Sequence, residues 1–187
     1  MKKTLLAAAL VASFGVIAMA PRIAGAAAPA PDGTITITGK VVANTCTFSV
    51  AGGSASNTVQ LPVVFTTALN AAGNVAGNTP FTIKVSGCDP NLTSVQEQFG
   101  GSNINAADGN LKNIATATSP QTVASNVEVQ LLSGTSAVIN LNTNANSPVG
   151  TLSSGGVTLS YQAQYYATAA ATAGLVNTTV TYTTQYQ

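Results

Sequence analysis

The stretch GTITITGKVVANTC, residues 33–46, decides how the rest of the chain is read. Ile35, Ile37, Gly39, Val41 and Ala43 fall on one face of it, and Thr36, Thr38, Lys40 and Val42 on the other. A two-residue period is the pattern of a half-buried β-strand. It directly follows AAAPAPD, residues 26–32, a small-residue and proline leader with no pattern of its own. An alternating, apolar strand therefore stands behind a loose front end. Folded back, it is an ordinary first strand; left free, it suits another molecule's groove, and the residues alone leave both readings open. Gly39 in the apolar row marks either a shallow place in the covered surface or a bulge.

Residues 1–26 have the layout of a secretory signal peptide. MKK is a short basic start, residues 4–20 carry no charge, and Pro21 is followed by small residues at Ala24 and Ala26. The apolar run of 17 residues is marginal for a membrane span, so cleavage after Ala26 is expected rather than anchoring. From Ala27 the chain has 161 residues, enough for one domain and expected to be soluble. Lys40, Lys84 and Lys112 face Asp32, Asp89, Glu97, Asp108 and Glu128, a net charge of −2 over that part. So weak a charge leaves no electrostatic footprint for nucleic acid or an anionic membrane. Cys46 and Cys88 are the only cysteines, and in an exported chain an even pair points to one disulfide. Two free thiols or half a metal site are the alternatives, the second disfavoured by the absence of histidine. Closing that loop would stabilise the fold by about 4 kcal/mol in the chain-entropy model.

Alternation continues downstream. PFTIKVSGC sets Phe81, Ile83 and Val85 against Thr82, Lys84 and Ser86. NVEVQLL sets Val127, Val129 and Leu131 against Asn126, Glu128 and Gln130. VTLSYQAQYYA repeats the pattern from Val157 to Tyr165, and LVNTTVTYTTQYQ closes the chain with Val176, Val180, Tyr182 and Tyr186 on one face. NTVQLPVVF is a further extended piece, interrupted by Pro62. AGGS, AAGN, GCDPN, ADGN, NANSPVG, SSGG and ATAG punctuate these runs as turns, and GGSNINAADGN reads as a long surface loop with a short helical turn nearby. Short punctuated strands predict an all-β sandwich of immunoglobulin type.

Chemistry is hard to find. Without histidine there is no usual general base and no Ser-His-Asp set. The carboxylates are scattered singly, which gives no sign of a converging pair. The Gly-containing turns lack phosphate-loop context, and the glycosylation patterns at Asn91 and Asn177 matter only in a cell with that machinery. The expectation is a protein that is not an enzyme and takes no cofactor, metal, small-molecule substrate or nucleic acid.

The chain resembles the major structural pilins of type 1 fimbriae, the subunits assembled by the chaperone–usher pathway. GTITITGKVVANTC is similar to the family's N-terminal extension, and FTIKVSGCD to the strand bearing the second cysteine. NVEVQLL and YQAQYYATAAATAG are similar to later core strands, Tyr186 to the penultimate aromatic, and Gly174 to the glycine fourteenth from the end. The resemblance covers residues 33–187. It implies an incomplete immunoglobulin-like sandwich with six strands of its own, completed by a donor strand from a neighbouring subunit. It implies a signal peptide over 1–26, a donor-strand extension over 27–43 and a pilin domain over 44–187. Ile35, Ile37, Gly39 and Val41 would be donated. Gly174, Val176, Val180, Tyr182 and Tyr186 would form the groove edge that a chaperone also recognises. The implied partners are identical or homologous subunits, a periplasmic chaperone and an outer-membrane usher. The implied place is a fimbrium on the cell surface, reached through the periplasm, with an adhesive role. A minor or adaptor subunit shares these features; a tip adhesin, which would carry a lectin domain and lack the extension, and a self-contained secreted sandwich module fit less well.

Overall fold

The strand-forming runs that follow Cys46 assemble into two antiparallel sheets in the computed structural model, which describes residues 36–39, 41 and 46–187. The strands are β1 (Thr47–Val50), β2 (Val75–Ser86), β3 (Ser94–Gly100), β4 (Leu111–Lys112), β5 (Val127–Ser133), β6 (Val149–Thr151), β7 (Val157–Ala167) and β8 (Thr181–Tyr186). Only β4 and β6 are shorter than four residues, so six substantial strands carry the fold. One sheet has the order β1-β2-β7-β5-β4, the other β6-β3-β8. The expected signal peptide lies outside the described residues.

Period-two alternation places the core. Ile83 and Val85 on β2, Leu159, Tyr161 and Ala163 on β7, and Val129 and Leu131 on β5 are buried against Val95 and Phe99 of the smaller sheet. Tyr161 sits at the centre, stacked on Phe81 at 5.5 Å and edge-on to Phe99 at 5.2 Å between ring centroids. Two backbone devices shape β2. Gly77, at φ +69°, takes a left-handed conformation at the bulge between Ala76 and Thr79. Pro80 is tolerated because β1 pairs only with residues from Ile83 onward, leaving β2 with a single neighbour at the proline. Cys46 and Cys88 form the disulfide, joining the start of β1 to the end of β2.

Three segments depart from their sequence pattern. The NTVQLPVVF run belongs to no strand. The short helical turn is a 3-10 helix at Thr66–Leu69, well away from GGSNINAADGN. And β5, which alternates in sequence, is buried on both faces. Its polar face is covered by that long loop: the Asn105 amide donates to Glu128 Oε1 at 2.7 Å, and the Gln130 amide donates to Asn110 Oδ1 at 3.3 Å. Asn78 donates to Gln164 Oε1 at 3.3 Å, and Gln164 donates to Gln130 Oε1 at 2.9 Å, so a row of amides crosses the sheet from β2 to β5. Each buried amide is hydrogen-bonded, which is what makes its burial affordable in a nearly uncharged chain.

The disulfide anchors an edge strand of only four residues, so its loss should be felt globally. The Cys46→Ser/Cys88→Ser variant is expected to lose about 2–5 kcal/mol in urea unfolding. Thiol labelling of the folded, oxidised protein should be negative; quantitative labelling at both positions would contradict the bond.

Candidate functional site

The last strand defines the site. Along β8, Tyr182, Thr184 and Tyr186 point inward while Thr181, Thr183 and Gln185 are exposed. One edge of β8 pairs with β3, from Val95 opposite Tyr186 to Gly100 opposite Thr181. Along its other edge, no backbone–backbone hydrogen bond is formed among the described residues. Across the gap runs the segment 55–61, which belongs to no strand and whose main chain likewise makes no backbone–backbone bond among them. Side chains hold this segment: the Tyr182 hydroxyl donates to the Ala55 carbonyl at 2.8 Å, the Asn57 amide donates to the Val50 carbonyl at 2.9 Å, and Leu61 packs on the core.

Between these two walls lies an open groove of about 1060 Å³. Its floor is apolar, built from Phe48, Val50, Phe81, Ile83, Phe99 and Leu131. Phe48 meets Tyr182 edge-on at 6.2 Å between ring centroids. The groove is thus the place where one strand of a sandwich is missing. Its walls offer main-chain N–H and C=O groups that have no backbone partner among the described residues, and its floor offers hydrocarbon. Such a slot accepts an extended segment with alternate apolar side chains.

Val176, Val180, Tyr182 and Tyr186 line the groove. Gly174 does not: it lines a smaller pocket beyond the groove's end. A Cβ at Gly174 would clash with the backbone nitrogen of Ala124, because the two chains run side by side there. Leu175 N–H donates to the Thr122 carbonyl at 2.7 Å, and Ala124 N–H to the Leu175 carbonyl at 3.1 Å. Among the expected donor residues, Ile35 lies outside the described residues, Ile37 is 90% exposed and Val41 is 100% exposed. Gly39 has open space where a side chain would go.

Sequence reasoning missed the opposite wall, residues 55–61, and one residue behind β8. Glu97 is fully buried on β3, in phase with Val95 and Phe99, and that i, i+2, i+4 spacing was the available signal. Its Oε2 accepts from the Thr184 hydroxyl at 2.7 Å, while Oε1 has no partner. Burial pushes its carboxyl above the usual range, and the Thr184 bond pulls it part of the way back. The neighbouring phenols respond in kind. Tyr161, Tyr182 and Tyr186 are raised first by burial and then by the charge on Glu97. Glu128 is raised as well, first by burial and opposed by its bond from Asn105, with Asp108 adding like charge.

Comparison with known proteins gives a consistent result. The family model described as "Fimbrial protein" matches residues 35–187. The chain is similar to the F17 fimbrial protein of Escherichia coli, at 42% identity over 183 residues that span 93% of this chain and 96% of that one. It is 37% identical to the type-1 fimbrial protein A chain of Escherichia coli strain K12, over 83% of this chain and 84% of that one. Among solved structures, the P pilus rod subunit PapA superposes with a TM-score of 0.57 at 18% identity, covering 76% of this chain and 99% of that one. A subunit from a chaperone–usher pilus studied for rod uncoiling gives 0.57 at 20% identity, covering 86% and 99%. The two structural likenesses establish a shared fold, that of the incomplete immunoglobulin-like sandwich.

Glu97 and Glu128 give the fold a definite pH dependence. Their folded-state values lie above the ordinary 4.5, so the stability they contribute is fully present below that value. It is lost as pH rises through the raised values. Urea midpoints should therefore fall as the pH rises above about 4.5. Glu97→Gln, whose amide oxygen still accepts from Thr184, should flatten part of that fall and be the more stable protein at the upper pH. An unchanged pH profile in the variant would contradict the assignment.

Proposed function

The chain belongs to the fimbrial protein family and is a structural subunit of a surface fimbria; on that footing we propose that its groove is filled, in the fibre, by residues 35–41 of a neighbouring subunit. The observation that carries the reading is the free edge of β8 facing residues 55–61, with no backbone–backbone bond on either side of an apolar floor among the described residues. Chaperone–pilin complementation is itself a recognised instance of strand addition.

Seven residues of extended chain span roughly 23 Å, enough to run the length of the six-residue β8. Ile35, Ile37 and Val41 would enter the floor, each contributing about 1.5–3 kcal/mol when fully buried. Ile37 and Val41 are bare to solvent in the single subunit, so for them that gain arises on donation. Residues 1–26 are then the export signal, 27–43 the donor extension and 44–187 the receiving domain. Until a neighbour arrives, a periplasmic chaperone holds the same groove, and an outer-membrane usher directs the exchange. The contact is head to tail, so it propagates as a filament instead of closing as a dimer.

Gly39 separates donation from folding. A Cβ added at Gly39 meets no heavy atom within 4 Å, so Gly39→Leu should leave the fold of the lone subunit intact. In a filled groove the added bulk should cost about 1–3 kcal/mol or more by overpacking. The variant should melt like wild type and still accept a wild-type donor, yet assemble no long fibres when it is the only subunit. Long fibres from Gly39→Leu subunits, seen by electron microscopy, would overturn the proposal.

A further inference from the structure

Beyond the groove, the chain leaves a second apolar surface in water. Val63 and Phe65 are 99% and 84% exposed, although they flank the half-buried Val64. They rim a shallow pocket of about 360 Å³ whose floor includes Leu69, Ala124 and Val127. Those floor residues belong to a small buried cluster of their own, with Ala167. Tyr165 and Val176 line both this pocket and the main groove, so the patch continues the groove past the start of β8.

We propose that this patch seats the body of the donating subunit, a second copy of this chain; the inference rests on the donor reading above. The reason is the shortness of the tether. Only residues 42–45 separate Val41 from Cys46, where the donor's own domain is pinned by its disulfide. Five fully extended steps reach at most about 18 Å. The donor's body must therefore press against one end of the acceptor's groove, whichever way the strand enters.

The two ends differ in chemistry. At the Tyr186 end, the Gln187 carbonyl accepts from Thr93 N–H at 2.7 Å, from Ser94 N–H at 3.1 Å and from the Thr93 hydroxyl at 3.0 Å. At the Val176 end, Val63 and Phe65 stand bare. Covering two large apolar side chains is favourable; covering satisfied polar groups gains little. The seated body thus lies at the Val176 end.

The rate at which a maleimide modifies Phe65→Cys in the oxidised protein tests this. Three preparations are compared. The first is a monomer whose groove is filled by a synthetic peptide of residues 35–41. The second is a head-to-tail dimer whose free groove carries the same peptide. The third is the fibre. The monomer should react at full rate. Half the thiols of the dimer, and nearly all those of the fibre, should react roughly tenfold more slowly or less. Equal rates in monomer and dimer would overturn the proposal even if the fibre protects the thiol, since protection in the fibre alone means a lateral neighbour. A peptide that fails to fill the monomer's groove would instead sink the donor reading, and this inference with it. Val63→Cys reads the same face should the first variant fold poorly.

Discussion

The structure turns on the unsatisfied main chain of one strand position. Buried backbone N–H and C=O groups almost always find partners, and a sandwich ordinarily provides them from its own strands. Here β8 has a partner on one side only, and residues 55–61 lie across the gap without joining either sheet. The aromatic floor of the groove, from Phe48 to Phe99, is left open on the groove side by the described residues. The remainder of the domain is what allows such a gap to persist. A five-stranded sheet, a disulfide at its edge strand and the Phe81–Tyr161–Phe99 cluster hold the floor in place.

The polar features follow from the same constraint. A fibre subunit must expose one sticky edge and make every other surface unattractive. Charged side chains can do little of this, since they are 6% of the chain. Hydrogen-bonded amides serve instead. Asn144 grips Phe99 on β3, accepting from its N–H and donating to its carbonyl at 2.6 and 3.0 Å, and the Asn78-to-Asn110 row covers the larger sheet. Glu97 and Glu128 are the exceptions among the described residues, and Glu97 is a buried carboxyl directly behind β8. It ties the groove wall to β3 through Thr184 and raises the neighbouring phenols.

Much of this was legible in the residues. The alternation of Phe81, Ile83 and Val85, or of Leu159, Tyr161 and Ala163, reports the buried face of a strand directly, because burial there is decided by the pleat. The paired cysteines and the positive-φ turns at Gly73 and Gly109 are equally local signals. What stayed hidden depends on long-range placement. The NTVQLPVVF run reads as an extended piece, yet it joins no sheet among the described residues, and nothing in its own pattern shows that. The polar face of β5 is buried because a loop folds over it, which no period reveals. Glu97 was visible in phase with Val95 and Phe99, but a carboxylate is discounted as a core residue until its threonine partner is known. Gly174 was read as a groove-edge residue through resemblance, whereas its backbone packs against Ala124, a contact that no spacing along the chain encodes.

The central claim concerns main-chain groups, so amide hydrogen exchange tests it most directly. In the isolated subunit, residues 56–61 and the amides of β8 that do not pair with β3 should exchange within the local, low-protection range. In the assembled fibre the same amides should become among the best protected in the domain, while β2 and β7 change little. Protection of those amides already in the lone subunit, or their continued rapid exchange in the fibre, would contradict an empty strand position filled by a neighbour.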